Sequence, residues 1–480
     1  MVLTMAGCGG SDDSKANASS AESSVAAEDS VAASEEVASS EEVVEPQEPE
    51  YDFGGRVVKI GSYYDMTPNP DGNVFEAAFS ERIAYVEENY NCDIQFVELG
   101  GDYVDQYVTS VLAGTPVCDV GYILSYKLLP SLIEGGIAYP ISDLGVVDYS
   151  KAWYNKPATE AGTYKGKTYT MGMTNADVQY GIFWNKTLFE KYNLPDLYEL
   201  YENGEWTWEK FKEIAIAGNQ DTDGDGEYDI HGFNQRENLV WSYMASNNAN
   251  AVQKTEAGVE LALDTTEATE ALEAYADFMQ NVDHLKGWLG DWQSQIWSFR
   301  DGESMMCYEA WWISYGYLGE MQDEWGFVPF PKGPSATEYV SYGKEASPYM
   351  MLNGIENPEE VATIIDLIFQ IFETDEEWED ALYAKFEAEA DDATAVDICM
   401  ELMPKVQISP LMGFGDLNTM INDMLGTIER GEQTPQTALD ANKSALDAAI
   451  AEIQNHDYDA DMLEIQKAAE EAAAAEEVAN

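Results

Sequence analysis

YGIFWNKTLFEKYNLPD at residues 180–196, GEWTWEKFKEIA at 204–215 and DTDGDGEYDIHGF at 221–233 follow one another almost without a break. The first stretch opens as an apolar strand over 178–184 and turns into a short helix over 187–192. The second reads as a helix over 206–217, with Thr207 placed to cap it and Glu209 and Lys210 in its first turn. The third is an acidic loop punctuated by glycine. Ordinary residues in a fixed order specify an architecture here, and no reactive group stands out among them, so function has to be argued from organisation.

Working outward, strand and helix keep alternating. RVVKIGS at 56–62 is a β-branched run ending in Gly and Ser, followed by Tyr63, Tyr64 and Asp65. Helical spacing over 74–90 precedes a second strand at 92–97, an amphipathic helix over 103–113 and a short buried strand over 117–123. YKGKTYTMG at 164–172 makes a glycine-containing turn. Helices are expected at 266–279 and 291–299, and a strand-like 304–308 leads into Trp311 and Trp312. WGFVPFPKGP at 325–334 must be extended because its prolines exclude helix. A helix over 358–373 starts with Asn357 as cap and Pro358 at its first position; Thr434 and Pro435 repeat that device for a helix ending near Ile453. Beyond His456 the chain is rich in Ala and Glu and reads as a solvated or frayed tail. The alternation argues for open α/β sheets with helical crossovers, whose ligands sit at the carboxyl ends of strands.

A chain of 480 residues, 45% of them hydrophobic, favours two lobes over one. Its 90 acidic against 24 basic residues give a formal net charge of -66, which repels phosphate backbones and excludes nucleic acid as a partner. At the N-terminus, MVLTMAGC sets small Ala6 and Gly7 before Cys8, as at the cleavage site of a bacterial lipoprotein signal, with residues 1–7 the remnant of a signal peptide. A lipidated Cys8 would carry two acyl chains, enough for stable anchoring. Residues 8–53 then form an acidic, low-complexity tether that cannot bury enough apolar surface to order itself. Cys92, Cys118, Cys307 and Cys399 lack any CxxC or Cys/His metal pattern and read as buried free thiols.

Several segments together resemble the extracellular solute-binding proteins of ABC importers, specifically the sugar-binding, maltose-binding-protein-like group. They are LAGTPVCDVGYI at 112–123, IAYPISDL at 137–144, YKGKTY at 164–169, GIFWNKTLFEKYNL at 181–194, WTWEKFKEIA at 206–215, FRDGESMMCYEAWW at 299–312, FVPFPKGP at 327–334, ENPEEVATIIDLIF at 356–369 and TPQTALD at 434–440. The resemblance covers nearly all of 51–453. It implies an α/β, type II fold of two discontinuous lobes joined by a hinge: 54–163 with 305–358, and 164–304 with 359–456, followed by the tail 457–480. It also implies chain crossings near Tyr164, Ser304 and Asn357, and a monomer that closes on a mono- or oligosaccharide and delivers it to a membrane permease.

In such a cleft, sugar faces stack on aromatic rings and hydroxyls meet polar side chains. The candidates are Tyr63, Tyr64 and Asp65 after the first strand, Trp241 and Asn247, then Glu309, Trp311 and Trp312, with Tyr349 in addition. DTDGDGEYDIHG at 221–232 resembles an EF-hand-type calcium loop. Asp221, Asp223 and Asp225 take alternate ligand positions, Gly226 the sharp turn, Glu227 a backbone carbonyl and Asp229 the ninth position, but Gly232 stands where the bidentate Glu belongs. Any Ca2+ there would be structural, and no organic cofactor is expected. Catalysis is not expected either: GxSxG, HExxH, P-loop and strand-turn-helix GxGxxG motifs are missing, and His231, His284 and His456 fall in loops or the tail. A surface glycan-binding adhesin or sensor without transport is the alternative, and a glycoside-processing enzyme a more remote one.

Overall fold

All six residues of the strand Tyr180–Asn185 are buried, the pattern of a strand covered on both faces. It pairs antiparallel with Met306–Ala310, with Trp325–Pro329 and, through Tyr180, with Ser341–Gly343. Gly181 is required by this crowding, since a Cβ there would stand 2.4 Å from the Phe327 ring. In this computed structural model, which describes residues 51–174, 178–235, 239–283, 293–464 and 467, the strand lies at the heart of a six-stranded sheet. Val406–Ile408 and Asn234–Gln235 are its outer members. Cys8, the tether up to residue 50, His284, the start of the helix expected at 291 and most of the tail lie outside the described residues.

A second, five-stranded sheet runs in the order Cys92–Glu98, Arg56–Ser62, Val120–Tyr122, Tyr349–Met351, Thr170–Met171. Its first three strands are parallel; Tyr349–Met351 is antiparallel to both neighbours. The helix Val74–Tyr90 is nucleated by a capping box, Asn73 with Glu76, and packs with Pro358–Phe369 over a core that includes Val58, Ile60, Phe79 and Ile365. The helix Trp208–Ala217 starts at Thr207, whose hydroxyl accepts from Lys210 N. The helix Pro435–Asn455 starts at Thr434 in the same way.

Strand pairing corrects the lobe boundaries. Residues 305–343 belong with the six-stranded sheet, because Met306–Ala310 runs beside Tyr180–Asn185 for its whole length. Thr170–Met171 and the helix Pro358–Phe369 belong with the five-stranded sheet. The chain therefore passes from one lobe to the other between the strands Thr170–Met171 and Tyr180–Asn185, between Gly343 and Tyr349, and after Phe369, rather than near Tyr164, Ser304 and Asn357. Residues 51–53 are not tether: Phe53 N donates to Tyr90 O at 2.9 Å and its ring stacks on Tyr51. Asn357 adopts φ 47° and makes no side-chain cap, donating instead to Glu360. Part of the expected tail is helical at 458–464, and Met462 is buried against the Gly135 turn. Cys92, Cys118, Cys307 and Cys399 are buried, and among the described residues no disulfide joins them. No described helix is long and apolar enough to cross a membrane.

Candidate functional site

The carboxyl ends of Arg56–Ser62 and Val120–Tyr122 point toward the first two of these crossings, and the second lobe closes over them with Met403, Val406 and Ile408. Between these elements lies a cavity of about 420 Å³. Tyr64, Tyr122, Tyr349 and Phe75 wall it from the first lobe, and Gly172, Met173, Gln179, Glu345 and Ser347 from the crossings. Its position obeys the rule for open α/β sheets that ligands gather at strand carboxyl ends.

The wall is a stair of rings. Tyr63 and Tyr64 are 4.8 Å apart, Tyr64 and Tyr122 6.0 Å, Tyr122 and Tyr349 5.3 Å, and Tyr349 and Phe369 5.1 Å. Exposure falls along it, from 42% at Tyr64 to 6% at Tyr349, so the stair is rooted in the core and open at its top. Burial raises the pKa of Tyr122 and of Tyr349. Tyr63 is raised as well, by desolvation first and then by Tyr64 and Glu345. These phenols stay neutral at physiological pH. They can therefore both donate and accept hydrogen bonds around an apolar face.

Of the candidates read from sequence, Tyr64 and Tyr349 line this cavity and Tyr63 packs at a tilt against Tyr64 beside it. Asp65 is exposed and accepts from Thr67 N at 3.0 Å, shaping the loop. The others lie within the second lobe. Trp241 belongs to the helix Leu239–Ala245, all of whose residues are buried. Asn247 is a buried latch, accepting from Ser335 N and donating to Glu267 O and the Glu270 carboxylate. Glu309 is buried in the strand Met306–Ala310 and accepts from Ala310 N. Trp311 packs among Phe183, Phe327 and Phe386 and donates its indole N–H to Glu389 at 2.7 Å. Trp312 is half-buried, edge-on to Tyr317. Sequence reasoning missed Tyr122, Glu345, Ser347 and Gln179. Tyr122 ends a parallel strand and was open to the rule that found Tyr64, whereas nothing in the loop GKEASP at 343–348 marks Glu345.

In the acidic loop, the carboxylates of Asp221, Asp223 and Asp225 are all exposed and within 4.8 Å of one another. Gly224 N and Gly226 N donate to Asp221, Asp225 N to Asp223, and Glu227 N to Asp225. Asp229 is engaged by Thr222, which lowers its pKa. Gly232, at the twelfth position, is pressed against the helix Trp208–Ala217, where a Cβ would stand 1.9 Å from Ala215 O.

A family model described as bacterial extracellular solute-binding protein matches residues 67–369. No curated protein matches the sequence. Among solved structures, the cyclic alpha-maltosyl-1,6-maltose binding protein from Arthrobacter globiformis is similar with a TM-score of 0.61 at 18% identity, covering 84% of this chain and 100% of that one. UspC of M. tuberculosis gives 0.60 at 13% identity, with 82% and 100% covered. The ABC substrate-binding protein Lmo0181 from Listeria monocytogenes, solved with cycloalternan, gives 0.54 at 15% identity, with 83% and 99% covered. At these identities the likeness establishes the two-lobed fold.

Proposed function

The chain belongs to the bacterial extracellular solute-binding proteins, and on that premise we propose that it captures a mono- or oligosaccharide between its lobes and hands it to an ABC permease. The observation that carries the reading is the interlobe cavity with its stair of tyrosines, a surface suited to the apolar faces and hydroxyl edges of sugars. The sugar ligands named for the Arthrobacter and Listeria proteins agree with it. A glycosidase needs two carboxylates facing one bond. The described lining supplies Glu345 alone, which favours binding over hydrolysis. Titration calorimetry with mono- and oligosaccharides, and peptides as controls, tests the assignment; heat from peptides alone would overturn it.

The protein acts as a monomer held at the outer membrane face through lipidated Cys8, and Cys8→Ser should release it from the membrane fraction. A structural calcium ion fits the acidic loop in part: three carboxylates converge, Gly226 at φ 95° makes the turn and the Glu227 carbonyl is available, while Asp229 is held by Thr222. A melting temperature unchanged by excess chelator would argue against it.

A further inference from the structure

Glu345 is the single ionisable carboxylate among the described residues that line the cavity, and none of them is basic. It is half-buried, and among the described residues its carboxylate makes no hydrogen bond and no ion pair. Its place is held by its neighbour: Ser125 N donates to Ala346 O at 2.8 Å, and Ala346 N donates to Ser125 Oγ at 3.1 Å. The crossing that carries Glu345 is thereby tied to the first lobe beside the tyrosine stair. Lys127, two residues beyond Ser125, directs its ammonium over the Tyr103 ring, 5.2 Å from the centroid. The Glu345 charge is felt by Tyr63 and Tyr126. The whole chain adds a formal net charge of -66.

A half-buried carboxylate without a donor is an unfilled acceptor, and it discriminates by sign. A hydroxyl or ammonium on the ligand completes it; a second carboxylate brought beside it is repelled in a setting less polar than water. Resting on the saccharide reading above, we propose that Glu345 sets charge selectivity at the cleft, admitting uncharged saccharides and excluding uronates and other anionic ones. Selection against the wrong ligand by a like charge is a common route to specificity.

The experiment compares maltotriose, cellotriose and mannotriose with the same trisaccharides oxidised to carboxylates at C6, by calorimetry on the wild-type chain, Glu345→Gln and Glu345→Lys. Wild type should prefer the neutral member of each pair it binds by at least about tenfold. Glu345→Gln should narrow that ratio to within about threefold, and Glu345→Lys should invert it, with uronate affinity that falls as salt is added. An inversion is a gain that misfolding cannot mimic. A wild-type protein that binds the uronate as well as the neutral sugar, or a ratio identical in all three proteins, overturns the proposal. Binding of none of the six sugars by any of the three proteins overturns the saccharide reading itself and this inference with it.

Discussion

Trp311 and Tyr64 both follow a strand that ends at the cleft, yet one ring turns inward and the other outward. Trp311 is 2% exposed, ringed by Phe183, Phe327 and Phe386 and hydrogen-bonded to Glu389. Truncating it empties a closely packed site, so Trp311→Ala should destabilise the second lobe by about 3–5 kcal/mol, seen as a lower melting temperature. Tyr64, 42% exposed, is held on one face by Tyr63 and Tyr122 and offers the rest of its ring to the cavity. Tyr64→Ala should cost stability no more than about 0.5 kcal/mol and weaken saccharide binding about three- to tenfold by calorimetry. A shared loss of stability in both variants would refute the division of roles. The rule that ligands meet residues just beyond strand ends selected both side chains. It could not separate them, because the direction of a ring is decided by partners such as Phe327 and Glu389 that are distant in sequence.

At the scale of elements, local signals were readable wherever the determinants were local. The helix Val74–Tyr90 carries its own capping box, and Thr207 and Thr434 cap as their positions predict. Asn357 fails as a cap because it sits at φ 47°, a conformation set by the turn before Pro358 and not encoded in the residue pair. The acidic loop shows the same limit. Its first six residues read as a calcium-binding turn, and a designer would restore the twelfth ligand by replacing Gly232 with Glu. That repair should fail, since any Cβ at 232 would meet Ala215 O at 1.9 Å and backbone cannot yield as a flexible side chain does. Gly232→Glu and Gly232→Ala should both lower the melting temperature by similar amounts, with or without calcium, reflecting a cost of at least about 1–3 kcal/mol. A calcium-dependent rise in stability for Gly232→Glu alone would show instead that the loop can swing free of the helix.

For the molecule as a whole, the lobe boundaries were hidden because they depend on the pairing of Met306–Ala310 with Tyr180–Asn185, more than a hundred residues apart. A second long-range feature joins the lobes away from the crossings. The hairpin formed by Val252–Thr255 and Gly258–Leu261 packs on the helix Pro435–Asn455 of the second lobe. From it, Lys254 reaches to the end of the helix Lys156–Ala161, donating to Glu160 O at 2.6 Å and Ala161 O at 3.3 Å. A cation at a helix carboxyl end is favourably placed, and Gly258 lies against Tyr164 of the same region. Lys254→Met should loosen this strap, raising the radius of gyration of the ligand-free protein in X-ray scattering and lowering saccharide affinity about threefold or more by depleting the closed state. Scattering and affinity both unchanged would show that the strap does not govern closure. Titration supplies an independent readout. Burial lowers the Lys254 pKa from 10.5 to about 8, so between those values the unfolded chain holds a proton that the folded chain has released, and this residue's contribution makes stability rise with pH. Below about 8 both states are charged and the contribution is flat. Buried phenols such as Tyr154, raised by desolvation, act in the opposite sense as the unfolded chain's tyrosines begin to ionise near their ordinary value. The comparison therefore belongs between pH ~8 and ~9.5, where the melting temperature of wild type should gain on that of Lys254→Met as pH rises; parallel curves would mean that the ammonium remains in water.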